Sequence, residues 1–173
     1  MTNNKGIIAV LLLIAFHMHA QVVIIEKESP VDSPEGIVKE VFAQVSTKPG
    51  EKIDLEAFGN LFLPNARFTV LYQDDSFPER HETVSLEEFK ELLTDEYYQK
   101  GFTQYELGKR VDQYNGIAQV FQSYEGKDAD GYTERGIASY QLIYLEDRWW
   151  ILSVLWTGDS NGVAIPKQYL DPE

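Results

Sequence analysis

Apolar residues recur along this chain with two different periods, and the change from one to the other divides it. From Pro34 to about Lys100 the period is helical. Ile37, Val38, Val41, Phe42 and Val45 make one stripe of a first helix. Ser33 can cap that helix, and Pro34 suits its first position because the missing N–H would go unpaired there anyway. Lys48-Pro49-Gly50 is expected to stop it. Asp54 caps a second, short helix whose Leu55, Phe58, Leu61 and Phe62 share a face, with Pro64-Asn65 as its end. A strand follows, with Phe68, Val70 and Tyr72 on one side and Arg67, Thr69 and Leu71 on the other. After a polar loop, Asp74 to Glu82, Ser85 and Glu88 form a capping box, and Val84 with Phe89 a hydrophobic staple. The third helix then carries Leu86, Phe89, Leu92 and Leu93 inward and ends near Lys100-Gly101.

From Phe102 onward the period is two. Tyr105, Leu107 and Val111 alternate with Gln104, Glu106 and Arg110. Asn115-Gly116 signals a tight hairpin turn, because both residues tolerate positive φ. Ala118, Val120 and Tyr124 continue the alternation, with further turns at Asp130-Gly131 and Glu146-Asp147. The last two strands, Tyr132 to Leu145 and Arg148 to Thr157, differ in kind. Trp149, Ile151 and Leu155 are expected on one face, and Trp150, Leu152, Val154 and Trp156 on the other. A sheet apolar on both faces must bury both. The helices can cover one face; a second copy of the chain is the simplest cover for the other, so a homodimer through the sheet is expected. The alternative is that the segment from Asn161 to Glu173 folds over that face.

This order of elements, ending in a Trp-rich strand, resembles the nuclear-transport-factor-2-like (NTF2-like, or SnoaL-like) superfamily over about Pro34 to Thr157. The sharpest local match is Arg135-Gly136-Ile137-Ala138-Ser139-Tyr140-Gln141-Leu142, followed by Arg148-Trp149-Trp150-Ile151-Leu152-Ser153. Many exported bacterial members look like this there. The resemblance implies an α+β, cone-shaped fold, with three N-terminal helices packed on a strongly curved antiparallel sheet around a conical pocket. It also implies dimers through the convex face. That fold hosts isomerases, dehydratases, cyclases, transport adaptors and many domains of no known activity, so it does not by itself carry a function.

The N-terminus adds an address. Met1 to Ala20 holds one positive charge, Lys5, and then an apolar run from Ile7 to Phe16. A membrane-crossing helix needs roughly 20 apolar residues, whereas the apolar region of a signal peptide needs about 7–15. Ala20 supplies a small residue before Gln21, although Met18 is bulkier than an ideal cleavage site would have. The expected organisation is a signal peptide over 1–20, a linker over 21–33 and one domain over 34–173. Such a protein is exported, to the periplasm or beyond, and is not inserted in a membrane once the signal is cleaved. With no cysteine, neither a disulfide nor a lipid-bearing thiol is possible. The net charge of -13, from 28 acidic against 15 basic residues, repels phosphate backbones and anionic headgroups. Nucleic acid and membrane surfaces are therefore not expected partners.

Chemistry is harder to place. Ketosteroid-isomerase-like members of the resembled superfamily use a Tyr and paired acids in one apolar pocket, but no spacing here singles out such a set. Asp74, Asp75, Glu79, His81 and Glu82 form the most tempting local group. His81 is the only histidine left after export, and neighbouring acids could orient it as a base; a solvated loop explains the group better. Zinc favours His and Cys ligands that this chain largely lacks. Asp128-Ala129-Asp130-Gly131 echoes a calcium loop but lacks the later ligands and the closing Glu, so a hairpin turn is expected there, with no metal and no cofactor. Parity on the strands nominates Arg67, Tyr72, Arg135, Gln141 and Trp156 as the polar lining of a pocket, with His81 at its rim. The two arginines need a partner, either an internal carboxylate or an anionic ligand. No activated nucleophile, metal set or cofactor loop is visible. That favours a non-catalytic exported domain binding a small molecule or a protein partner. The alternative is a cofactor-independent isomerase, dehydratase or cyclase using buried Asp, Tyr or His81. A cavity holding two converging ionisable side chains would favour the enzyme.

Overall fold

The computed structural model describes residues 29–72 and 80–171. The expected signal peptide, the linker up to residue 28, and Asp74, Asp75 and Glu79 lie outside the described residues. A 3₁₀ turn over Pro30–Asp32 leads into helix α1, Pro34–Val45, where the Ser33 hydroxyl accepts from the Gly36 N–H as the sequence suggests. The whole predicted stripe of α1 is buried. Fully burying each such side chain stabilises by about 1.5–3 kcal/mol, which is why α1 is the spine of the core.

Helix α2, Leu55–Gly59, is capped by Asp54 through the N–H groups of Glu56 and Ala57. It is shorter than its apolar spacing predicts. Phe62 already belongs to strand β1, Phe62–Leu71, which runs straight through Pro64. Pro64 is tolerated because it falls where the pairing of β1 with its neighbour slips, between Phe62 and Arg67, so no ladder bond is lost there. Part of the expected polar loop is strand β2, His81–Ser85, paired antiparallel with β1. Ser85 and Glu88 do form the capping box of α3, Leu86–Leu92. The helical run then breaks at Thr94-Asp95, and Asp95 recaps a short α4, Glu96–Gln99. Asp95 favours this because its carboxylate can satisfy the Tyr97 N–H only from outside the helix.

Four long strands complete the sheet: β3 Phe102–Tyr114, β4 Ile117–Asp128, β5 Thr133–Leu145 and β6 Arg148–Gly158. Asn115 and Gly116 turn with φ of 45° and 85°, and Glu146 and Asp147 with 52° and 60°. Asp128 closes the β4–β5 turn by accepting from the N–H groups of Asp130 and Tyr132. The six strands lie in the order β2-β1-β6-β5-β4-β3. The curved, open sheet is antiparallel except where β1 lies parallel to β6. The α+β cone expected from the sequence is therefore present.

One irregularity reverses an expectation. Gln141 pairs with Ser153 but Leu142 with Ile151, which leaves Leu152 without a partner. This bulge shifts the phase of β6 by one residue. Trp149, Ile151, Val154 and Trp156 consequently share the inner face, and Leu155 turns outward. The outer face is covered in part by the chain itself. Tyr169, in a 3₁₀ turn over Lys167–Tyr169, stacks on Phe121 at 5.5 Å, and its carbonyl accepts from the Ser123 hydroxyl. The segment passes so close to Gly108 that a Cβ there would stand 2.4 Å from the Asp171 nitrogen. The rest of that face stays open, with Ile117 59% and Leu155 50% exposed.

Candidate functional site

The inner face of the sheet, α1, α3 and α4 enclose a cavity of about 230 Å³. Its floor is apolar and buried: Phe42, Phe58, Phe68, Ala138, Tyr140 and Val154. Phe68 stacks on Phe89 at 4.2 Å with the rings 5° from parallel, and Phe89 meets Trp156 edge-on at 5.9 Å. Rings cluster at the other end too, where Tyr98 packs on Phe102 at 5.4 Å and Tyr97 at 5.7 Å. Tyr97 and Tyr132 remain exposed, and they mark the mouth. An engineered cavity of about 150 Å³ admits benzene, so this one can take a substituted ring.

The polar lining consists of Gln104, Glu134 and the tyrosine hydroxyls. Glu134 stands at the mouth with one side still in water. Loss of solvent raises its carboxyl above the ordinary range, and the nearby charge of Asp159 pushes in the same direction. Tyr98 is pushed up to about 12, chiefly by burial. Burial raises Tyr124 and Tyr140 further, so all three stay protonated donors at neutral pH. Two glycines paired across β5 and β6, Gly136 and Gly158, make the room. A Cβ on Gly136 would fall 2.5 Å from the Tyr124 hydroxyl, and one on Gly158 would fall on the Glu134 carboxylate. The strand pair is hollowed at that point to admit a phenol and an acid.

Of the residues nominated from sequence, Trp156 lines this cavity. Arg67, Arg135 and Gln141 stand on the outer face instead of the expected inward positions. Arg135 pairs with Glu125 at 3.4 Å, and Gln141 accepts from the Ser153 hydroxyl at 2.9 Å. Arg67 is exposed, near Glu88, whose carboxyl is held low first by the Ser85 hydroxyl and backbone and only then by Arg67. The internal carboxylate weighed as a partner for Arg135 is thus Glu125. The Tyr72 hydroxyl donates to Glu82 at 2.9 Å, away from the cavity. His81 is exposed at the start of edge strand β2, opposite Leu71.

Glu134, Tyr124 and the α4 tyrosines were not singled out by sequence reasoning. The inward set of β5 is Glu134, Gly136, Ala138, Tyr140 and Leu142, one residue out of phase with Arg135 and Gln141. A slip of one moves every side chain to the other face. The legible signal was size: Gly136 and Ala138 are the small residues that a hollow requires.

No protein-family model matches the sequence, and no curated protein matches it either. Solved structures do. An NTF2-like protein with a cystatin-like fold from Novosphingobium aromaticivorans superposes with a TM-score of 0.58 at 12% identity, over 79% of this chain and 85% of that one. A proposed dehydratase of the NTF2-like family from Streptomyces avermitilis gives 0.53 at 12%, over 70% and 90%. A proposed ketosteroid isomerase from Shewanella frigidimarina gives 0.51 at 19%, over 70% and 92%. At such identities the likeness is one of architecture: the chain has the NTF2-like fold.

Proposed function

We propose that this NTF2-like chain is a small-molecule-binding domain whose ligand, a compact ring-bearing molecule, sits in the inner cavity. The observation that carries the reading is a space of about 230 Å³ walled by aromatic rings, with its few polar groups converging from β3, β4, β5 and α4. Rings supply apolar area, and a small number of placed polar groups supplies orientation. Tyr124 can orient the ligand, since its hydroxyl makes no hydrogen bond to protein among the described residues and stays protonated. The apolar run of Ile7 to Phe16 supports export of this domain. The open remainder of the outer face, with Ile117 and Leu155, supports pairing of two copies there.

Native mass spectrometry on protein recovered from its own envelope extract tests the binding reading. A bound small mass is expected on the wild type and not on Ala138→Phe, which fills the cavity. Bare protein in both samples would refute it. For the pairing, Leu155→Lys is expected to convert a dimer to a monomer in light scattering; a wild type monomeric at high concentration would overturn it.

A second reading, proton transfer on a bound molecule, is favoured by the raised carboxyl of Glu134 beside a protonated tyrosine. Acids tuned upward by burial are suited to hold a proton near neutral pH. If that reading holds, the recovered ligand exchanges a C–H for deuterium in D₂O with wild type and not with Glu134→Gln. Exchange at the same rate with both proteins would remove it.

A further inference from the structure

We infer that the cavity selects an organic cation, a protonated or quaternary amine carried on an apolar body, held between the tyrosines of its mouth and the carboxylate of Glu134. The inference rests on the cavity being the binding site and adds the charge of what it binds. Three features of the mouth point the same way. The rings of Tyr97, Tyr98, Phe102 and Tyr132 cluster within one opening. Ring faces carry negative potential and attract ammonium groups, most strongly where water is excluded.

The second feature is a missing counter-ion. Among the described residues the Glu134 carboxylate makes no hydrogen bond and no ion pair, whereas Glu106, Asp112 and Glu125 on the same sheet each pair with a base. No Lys, Arg or His lines the cavity among the described residues. The charges that reach Glu134 and its neighbour Tyr97 are Asp159 and Asp128, both acidic. A partly desolvated carboxylate facing like charges is costly to ionise and gains most from a positive partner. An anionic ligand, the alternative to an internal carboxylate as partner for the arginines, would meet only repulsion here.

The third feature is the field of the whole molecule. A net charge of -13 draws cations toward the surface before any contact is made. The floor, by contrast, offers no charge at all, so the ligand's far end is apolar.

The test compares two probes of the same shape, benzyltrimethylammonium and its neutral carbon analogue neopentylbenzene, by titration of the full domain. The cation is expected to bind roughly tenfold more tightly than the neutral probe. Glu134→Gln should erase most of that preference while leaving the neutral affinity within about twofold. Added salt should weaken only the cation. Equal or tighter binding of neopentylbenzene would overturn the cation inference and leave the cavity reading standing. Binding of neither probe, with Ala138→Phe indistinguishable from wild type, would overturn both. Glu134→Gln is a surface-facing exchange of similar shape, and its melting temperature separates loss of preference from loss of fold.

Discussion

The two faces of one sheet, built from alternating residues of the same strands, have been put to opposite uses. On β5 the inner positions Glu134, Gly136, Ala138 and Tyr140 run from an unpaired acid to a buried phenol by way of two small residues. The outer positions Arg135, Ile137, Ser139 and Gln141 all carry atoms beyond Cβ, and their polar members are partnered. Arg135 has Glu125, Ser139 has Gln119, and Gln141 has Ser153. A face whose polar groups satisfy one another leaves none of them to hold a ligand. A face that keeps an acid without a partner above a hollow is waiting for something. The difference is what the proposed site rests on, since no motif marks it.

The largest effect is expected where the inner face is most tightly packed. Phe58 has no exposed surface and touches the rings of Phe62, Phe68 and Phe89. Phe58→Ala should cost about 3–5 kcal/mol in denaturant unfolding; a loss under 1 kcal/mol would mean the floor is not built as described. The glycine pair comes next. Gly136→Ala brings its new methyl to 2.3 Å from the Thr157 carbonyl, a backbone atom that cannot yield, and should cost about 1–3 kcal/mol. Gly158→Ala meets only the flexible end of Glu134. It should leave stability nearly unchanged while displacing the carboxylate and reducing the cation preference.

The inner tyrosines add a pH dependence. Tyr98, Tyr124 and Tyr140 hold their protons above the ordinary value of 10 when folded. Above pH 10 the folded chain therefore binds more protons than the unfolded one, so their contribution is intact below pH 10 and falls away as pH rises past it. Absorbance titration should show these three ionising only as the protein unfolds. Titration of all 10 tyrosines without loss of structure would contradict their burial. The smallest effects belong to the other face and the turns. Gln141→Ala should stay within about 0.5–1 kcal/mol, as exposed hydrogen bonds do. Glu146→Asn with Asp147→Gly should stabilise by about 0.5–1 kcal/mol, since both residues now hold positive φ without being suited to it.

Much of the frame was legible in the sequence because its signals are local. The Ser33 and Ser85 caps, the stripe of α1 and the Asn115-Gly116 hairpin each depend on residues within a few positions of one another. The cavity was legible only in part because it depends on phase. A single unpaired residue, Leu152, turned Val154 and Trp156 to the same side as Ile151, and no local pattern announces a bulge. Arg67, Arg135 and Gln141 were nominated on a parity that the sequence alone could not anchor to a face. Pro64 misled in the opposite direction: it reads as a helix stop, yet it sits at an irregular point of a strand. The acid that matters most here, Glu134, looked like one of 28. What distinguishes it is a partly desolvated place on the cavity wall with no partner among the described residues, and that is a property of three dimensions.

The most direct test is to map benzyltrimethylammonium on the isotopically labelled domain by chemical-shift perturbation. Shifts are expected to concentrate on Val45, Ala138, Val154 and the Trp156 indole, with Glu134 at their edge. Shifts centred on Ser139, Gln141 and Leu155 of the outer face, or none at saturating probe, would contradict binding there.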